Sequence, residues 1–92
     1  MANKVLTASG QLRAVPGAVY GVIVSCDGVT SGDKVEFKDA LTDTGTSQLS
    51  IVFGGTDDIA SFCPSIPVRF STGIYMTMTK TGGTMTVTVL YD

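Results

Sequence analysis

Residues 74–91 read IYMTMTKTGGTMTVTVLY, and apolar and polar side chains alternate on both sides of a Gly-Gly pair. A period of two is typical of a β-strand with one buried face, and Gly-Gly supplies the positive φ angles that a two-residue hairpin turn needs. The sequence therefore predicts a hairpin in which strands 74–80 and 84–91 pair across a loop made of Gly82 and Gly83.

Counting outward from this loop gives the register of the two strands. Thr79 faces Thr86 and Thr77 faces Thr88, so these threonines share one face of the hairpin. Cross-strand threonine pairs stabilise a sheet face that is solvated or that contacts another subunit, and we expect these residues to bind a partner. The opposite face is expected to lie in the core and consists of Met76, Met78, Val87 and Val89.

The rest of the chain also consists of short alternating or apolar segments between turn residues. Gly, Thr and Val recur every few residues and disfavour helix, and strands spaced by about 8–12 residues are typical of an all-β domain. The apolar run 18–26 predicts a central strand covered on both faces. The predicted fold is an all-β, compact antiparallel β-sandwich or jelly-roll-like barrel of seven to eight short strands. The remaining predicted strands are 4–9 and 11–15 (one bent strand or two), 34–38, 47–53 and 66–70.

The 92 residues are predicted to form a single domain, 1–92, because a chain of this length supports one thin core. Hydrophobic residues make up 43% of the chain, which excludes a disordered protein. Outside the hairpin, the residues expected to face the core are Val35, Phe37, Leu49, Ile51, Phe53 and Val68.

Composition and charge exclude several classes of function. The chain has no histidine, which rules out His-based catalytic triads and His metal ligands. A net charge of −2 offers no basic surface for nucleic acid. The longest apolar stretch, 18–24, is far shorter than a membrane helix, and no apolar leader follows Lys4. We therefore expect no nucleic-acid or membrane partner and synthesis in a cytoplasm.

No constellation of residues predicts catalysis, a cofactor or a metal. Cys26 and Cys63 have no base or histidine partner, so they are expected to be buried thiols, although the sequence does not settle whether they form a disulfide. The acidic loop residues do not follow calcium-loop spacing and are expected to cap turns. We expect a non-enzymatic protein without cofactor or metal. The acidic loop residues are Asp27, Asp33, Asp39, Asp43, Asp57 and Asp58.

Four segments resemble a known group of proteins. They are 20–25 (YGVIVS), 27–35 (DGVTSGDKV), 68–75 (VRFSTGIY) and 87–91 (VTVLY). In these segments, and in its short predicted strands, many Thr and Gly residues and few charges, the chain is similar to small all-β virion proteins of tailed bacteriophages and cyanophages. Those proteins decorate or cement the capsid. The resemblance spans most of the chain, but it contains no catalytic motif and transfers no binding residue.

The resemblance implies a virion structural protein that packs on the outer surface of the phage head and stabilises it. Its expected partners are the major capsid protein or another virion protein, together with copies of itself, a trimer being favoured and a dimer next. The expected location is the capsid surface, reached from the host cytoplasm during assembly. The alternative is an adhesive or carbohydrate-binding β-module of the neck, tail or spike. That alternative needs exposed aromatic side chains, for which the candidates are Tyr20, Phe62, Tyr75 and Tyr91.

The N-terminal segment 2–9 is the expected point of attachment to a capsid. It carries Val5 and Leu6 among small and polar residues, and a chain end is free to add as a strand to an exposed sheet edge. The other interpretation is an ordinary first strand of the domain's own sheet. The sequence leaves both interpretations open.

Overall fold

In the computed structural model, residues 2–54 and 59–92 are described. Within these ranges the chain is all-β and contains nine strands, so the predicted fold class is confirmed with more strands than expected. The strands are β1 (Ala2–Leu6), β2 (Gly10–Arg13), β3 (Gly17–Asp27), β4 (Lys34–Lys38), β5 (Ser47–Val52), β6 (Ile59–Phe62), β7 (Val68–Phe70), β8 (Ile74–Thr79) and β9 (Thr84–Tyr91).

The strands form two sheets in which every neighbouring pair is antiparallel. The first, called here the front sheet, has the order β1-β9-β3-β6, and β7 pairs with the opposite end of β3. The second, called the back sheet, has the order β2-β8-β4-β5. Alternate residues of both sheets point into a common apolar layer, which makes the molecule a β-sandwich.

The core consists of aliphatic, methionine and aromatic side chains that meet between the sheets. Because successive side chains in a strand point to opposite sides, only every second residue contributes. The central residues, each at most 1% exposed, are Val22, Val24, Val87 and Val89 of the front sheet and Val35, Phe37, Ile74 and Met76 of the back sheet.

The predicted core is confirmed. Its members divide into residues that are fully enclosed and residues at the margin of the sandwich. Val35, Phe37, Phe53, Met76, Val87 and Val89 are buried, and Leu49, Ile51, Val68 and Met78 are half-buried against them.

The predicted hairpin is wrong. Strand β8 pairs with β2 and β4 in the back sheet, whereas β9 pairs with β1 and β3 in the front sheet. The connection 80–83 therefore crosses from one sheet to the other. The turn was predicted at the correct position, but it joins strands of different sheets. Gly83 adopts a φ of 70°, and a Cβ there would collide with the carbonyl oxygen of Asp27, so the crossing requires a glycine.

Three further expectations change. Strand β3 is central, but only its inner face is buried, since Ile23 on the other face is 47% exposed. Segments 4–9 and 11–15, expected as one bent strand or two, form two strands, and these lie in different sheets. Strand β6 was not predicted, because its apolar Ile59 faces outward and breaks the alternation. The Gly and Asp residues of 54–58 predict a break after strand 47–53, and most of this segment lies outside the described residues.

Candidate functional site

The residues predicted to bind a partner do not form one ladder. Thr77 and Thr79 lie on the outer side of the back sheet, whereas Thr86 and Thr88 lie on the outer side of the front sheet. The predicted four-threonine face is therefore wrong, for the same reason as the hairpin. Thr79 and Thr86 are exposed, and Thr77 and Thr88 are half-buried.

The two N-terminal candidates lie in β1, which pairs with β9 over five residues from Ala2↔Tyr91 to Leu6↔Val87. The segment is thus a strand of the domain's own sheet, and the free-arm interpretation is not supported by this geometry. Leu6 packs against the core, while Val5 points outward and is 59% exposed. Of the two N-terminal candidates, only Val5 has a side chain that a partner can contact.

The outer side of the front sheet, called here the front face, is arranged in rows across the strands. Its middle row runs Val5–Thr88–Ile23–Ser61, as the registers of β1, β9, β3 and β6 show. The flanking rows are Asn3–Leu90–Gly21 on one side and Thr86–Ser25–Ile59 on the other.

The front face is uncharged and carries three exposed aliphatic side chains among threonine, serine and asparagine residues. Val5, Ile23 and Ile59 are 59%, 47% and 67% exposed, and the described rows contain no lysine, arginine, glutamate or aspartate. Lys4 of β1 lies on the inner side, where its Nζ donates to the carbonyl oxygen of Gln11 at 3.3 Å. The first charge along β3 is Asp27, at the end of the strand.

Cys63 adds a thiol at the margin of the front face. A Cβ built on Gly21 would lie 3.1 Å from the Cys63 Sγ and 3.5 Å from Leu90, so these groups share one side of the sheet. Cys63 is exposed and forms no disulfide, whereas Cys26 is buried. The expectation of buried thiols is confirmed for Cys26 and wrong for Cys63.

The outer side of the back sheet, called the back face, is charged. Lys34, Glu36 and Lys38 project from β4, and Lys34 Nζ lies 3.5 Å from Glu36 Oε1. Thr77 is in register with Glu36, and its Oγ1 is buried without a hydrogen-bond partner among the described residues. The two faces of the sandwich therefore differ in chemistry although both belong to antiparallel sheets.

Strand β5 is an open edge of the back sheet. It pairs with β4, and no other described strand lies beyond it. The register slips by one residue at Gln48, which leaves 49–52 as the regular part of the edge. This segment contains no charge and no proline, and its last residue, Val52, is 62% exposed. Charges and prolines, two of the usual protections of a sheet edge, are missing from 49–52, so apart from the irregularity at Gln48 this edge is open to backbone pairing.

A cleft of about 440 Å³ opens at one end of the front sheet. It lies beside Ala18, whose N–H and C=O exchange hydrogen bonds of 2.9 Å with the backbone of Asp92. Tyr20 forms an aromatic wall and the exposed Arg69 a cationic one. Ser71 and Asp39 also line the cleft, and the Ser71 hydroxyl donates a hydrogen bond to the Asp39 carboxylate there.

Asp39 closes the polar side of this cleft and is fully occupied by hydrogen bonds. Its Oδ2 accepts from the amide and hydroxyl of Ser71 at 3.0 and 2.8 Å, and its Oδ1 accepts from the amides of Thr72 and Gly73 at 2.7 and 3.4 Å. These bonds, the Ser71 amide first, lower the pKa of Asp39 from 3.8 to about 2. The carboxylate organises the β7–β8 turn and has little capacity left for a ligand.

Asp33 has a similar role at the other end of the sandwich. It is 2% exposed, and its Oδ2 accepts from the amide of Thr30 at 2.9 Å. The expectation that loop aspartates cap turns is confirmed for Asp33 and Asp39. No group of three or more metal-ligating side chains occurs in the described ranges, and Asp57 and Asp58 lie outside them. Likewise, no described helix is long and apolar enough to span a membrane.

Ile23 and Ile59 were missed as candidates for partner binding. No local signal identifies them, because an exposed isoleucine in an apolar run has the pattern of a core residue. Only the pairing of β3 with β9 and β6, which joins distant parts of the chain, shows that both point outward.

Comparison with known proteins does not assign the chain to a family. No family model matches it, and no curated protein matches it. Among solved structures, a chain from the X-ray structure of CPMV top component is 14% identical with a TM-score of 0.49, over 94% of this chain and 56% of that one. The chain thus spans little more than half of that neighbour.

A second solved structure comes from Bacillus endospore appendages, described as a novel family of disulfide-linked pili. It is 17% identical with a TM-score of 0.41, over 96% of this chain and 84% of that one. At these values neither likeness identifies a function.

Proposed function

We propose that this chain is a non-enzymatic virion structural protein that decorates or cements a phage capsid from its outer surface. The observation that carries the proposal is the uncharged open edge of β5. An exposed edge offers a row of backbone N–H and C=O groups to which another chain adds as a strand, without any side-chain chemistry. The partner is the major capsid protein or another virion protein, and the site is the capsid surface.

The charge distribution supports the same function. Many copies that pack side by side on a lattice gain from a low surface charge, because like charges repel. This chain has 6 basic and 8 acidic residues in 92. Among the described carboxylates, Asp33 and Asp39 are engaged in turns. The capsid contact is therefore expected to be apolar and backbone-mediated, and to weaken only modestly as salt rises.

Particle pelleting tests the proposal. The labelled protein is mixed with phage heads that lack it, taken from a phage whose purified virions contain this chain by mass spectrometry. Val52→Asp places a charge on the β5 edge in register with Lys34, and it should reduce co-pelleting roughly tenfold or more, because a strand that adds to this edge would have to desolvate the carboxylate. Val15→Asp, at a site 51% exposed in the β2–β3 turn, is the matched control and should pellet as the wild type does.

Two results would contradict this function. One is the absence of the chain from every purified virion of its phage. The other is equal loss of pelleting in Val52→Asp and Val15→Asp, which would show that any added charge abolishes binding and that β5 has no special part.

The cleft favours a second candidate, a carbohydrate-binding module of the neck, tail or spike. Tyr20 borders the cleft beside Arg69, an arrangement in which a sugar stacks on the ring and hydrogen-bonds the guanidinium. All four aromatic candidates are half-buried, but only Tyr20 borders the cleft, and Phe62 lies on the core side. A glycan array separates the two functions. A glycan that binds the wild type and not Tyr20→Ala would support the carbohydrate-binding module. If no glycan binds, capsid decoration remains the better proposal.

A further inference from the structure

The front face exposes three aliphatic side chains to solvent on the outer side of one sheet. Val5 and Ile23 lie in one row and Ile59 in the next, and each keeps about half or more of its surface exposed. Contiguous exposed apolar patches mark binding surfaces, whereas scattered single residues do not. Ile23 and Ile59 lie on neighbouring strands about 5 Å apart, and Val5 lies in the same row as Ile23 with Thr88 between them, so the patch consists of two adjacent isoleucines and a valine across a threonine.

We propose that the front face binds the front face of a second copy of this chain and forms a two-fold symmetric dimer. A two-fold contact brings the same patch of both copies together, so the patch has to be complementary to itself. A charged surface fails this condition, since each charge approaches its own kind. The described rows of the front face satisfy it, because they hold no charged side chain.

The back face does not satisfy the condition. Lys34, Glu36 and Lys38 form a row of charges along β4, and a two-fold contact there would desolvate them. A charged partner does not suit the front face either, because the described rows of that face offer it no counter-charge. A neutral partner with the same Thr, Val and Ile composition fits best, and a second copy has that composition by definition.

The dimensions of the front face suit a small dimer. Four strands about 4.8 Å apart and about seven residues of 3.3 Å give roughly 450 Å² per copy, or roughly 900 Å² for the pair. A stable biological interface needs about 1,000 Å², so the face lies just below that bound and suits a weak contact. The expected dimer is therefore reversible and depends on concentration. It would have four layers, with the two back sheets and both β5 edges on the outside.

The inference takes from the proposed function only the idea that this chain assembles with other protein chains. The dimer itself can form without a capsid. The inference replaces the expected trimer by a dimer, because a patch that binds itself closes after two copies. The β5 edges remain accessible in the dimer, and each dimer then presents two capsid-binding edges.

Sedimentation velocity in reducing buffer, from low to high micromolar concentration, tests the dimer. The wild type should shift from a monomer to a species of twice the mass. Ile23→Asp should weaken the association at least about tenfold, because it buries an unpaired charge. Val52→Asp, on the back-sheet edge, is the matched control and should dimerise normally. If Ile23→Asp fails to fold in a thermal melt, Val5→Asp on the edge strand takes its place.

Cys63 reports the interface without any added label site. Its reaction with a thiol reagent should slow as wild-type concentration rises, and it should be independent of concentration in Ile23→Asp. Cys26 is buried and supplies the unreactive reference within the same chain. A wild type that stays monomeric at high concentration, or a dimer lost in Val52→Asp and retained in Ile23→Asp, would overturn the inference.

Particle pelleting of the same two variants separates this inference from the proposed function. If the wild type is dimeric but pellets with no phage head, the result supports the dimer and contradicts the proposed decoration of capsids. A monomeric wild type whose pelleting is abolished by Ile23→Asp would assign the front face to the capsid and overturn the dimer. Loss of dimer in Ile23→Asp and loss of pelleting in Val52→Asp together support both.

Discussion

The carboxylate of Asp33 accepts hydrogen bonds from the amide and the hydroxyl of Thr81 at 3.2 and 3.4 Å, although the two residues are 48 positions apart. Thr81 belongs to the connection that crosses between the sheets, and Asp33 lies at the start of β4. The backbone of Asp33 also accepts from the amide of the buried Phe53 at 2.9 Å. One buried side chain thus fixes the place where the chain changes sheets.

Replacing Asp33 should therefore destabilise the whole domain. Asp33→Ala removes the acceptor and leaves the amides of Thr30 and Thr81 without their partner, at a cost on the order of 2–3 kcal/mol. The melting temperature should fall by roughly 4–8 °C per kcal/mol, as expected for a domain of this size. Asp33→Asn, which keeps one acceptor oxygen, should lose less. Equal melting of wild type and Asp33→Ala would contradict the role of this residue.

Asp39 predicts a dependence of stability on pH. Its folded-state pKa of about 2 lies below the ordinary 3.8, so folding favours the charged form. That contribution is fully present above about pH 4 and is lost as pH falls through about pH 2. Asp39→Asn should melt at a lower temperature than the wild type near neutral pH, and the difference should narrow below about pH 4.

The control for this series is Asp43→Asn, an exposed aspartate of the same loop. It should melt like the wild type throughout the range. A gap between wild type and Asp39→Asn that stays constant down to about pH 2 would show that the hydrogen bonds to Ser71 and Thr72 do not depend on the charge.

Core truncations distinguish enclosed residues from marginal ones. Val87 is fully buried, and Val87→Ala should cost roughly 2–3 kcal/mol from lost burial and the cavity left behind. Ile51 is half-buried, and Ile51→Ala should cost less, about 1–2 kcal/mol, because the site is already partly in water. Thr86→Ala, on the exposed side of β9, should stay within about 0.5 kcal/mol of the wild type in denaturant unfolding. Similar losses for Val87→Ala and Thr86→Ala would refute the assignment of faces in β9.

These residues also show how much of the fold could be predicted from the sequence. The side of a strand that is buried is a local property, and alternation in 84–91 gave it correctly for Val87 and Thr86. The partner of a strand is not local. A period of two is the same whether β9 pairs with β8 or with β3, and Gly82-Gly83 is compatible with a tight hairpin and with a crossing between sheets.

The candidate site depends almost wholly on this non-local information. Thr88 was predicted to face Thr77 and instead lies between Val5 and Ile23. Ile23 belongs to an apolar run that predicts burial on both sides, and its exposure follows only from the absence of a third described layer. The front face therefore could not be predicted from the sequence pattern, although two of its threonines, Thr86 and Thr88, were predicted to bind a partner.

The last prediction concerns β1, for which the sequence left an arm and a strand open. In the structure β1 covers one edge of β9, and Leu6 packs beside Val87. Deletion of the segment up to Ser9 should lower the melting temperature and expose β9 as a new open edge prone to pairing. The deletion also removes the Ser9 hydroxyl, which accepts a hydrogen bond from the amide of Met78 at 2.8 Å. Leu6→Ser should reproduce part of the loss, because it removes the packing, whereas Val5→Ser should melt like the wild type. If the deleted protein melts as the full chain does and loses only its binding to phage heads, the segment acts as an arm and the pairing of β1 with β9 contributes nothing to stability.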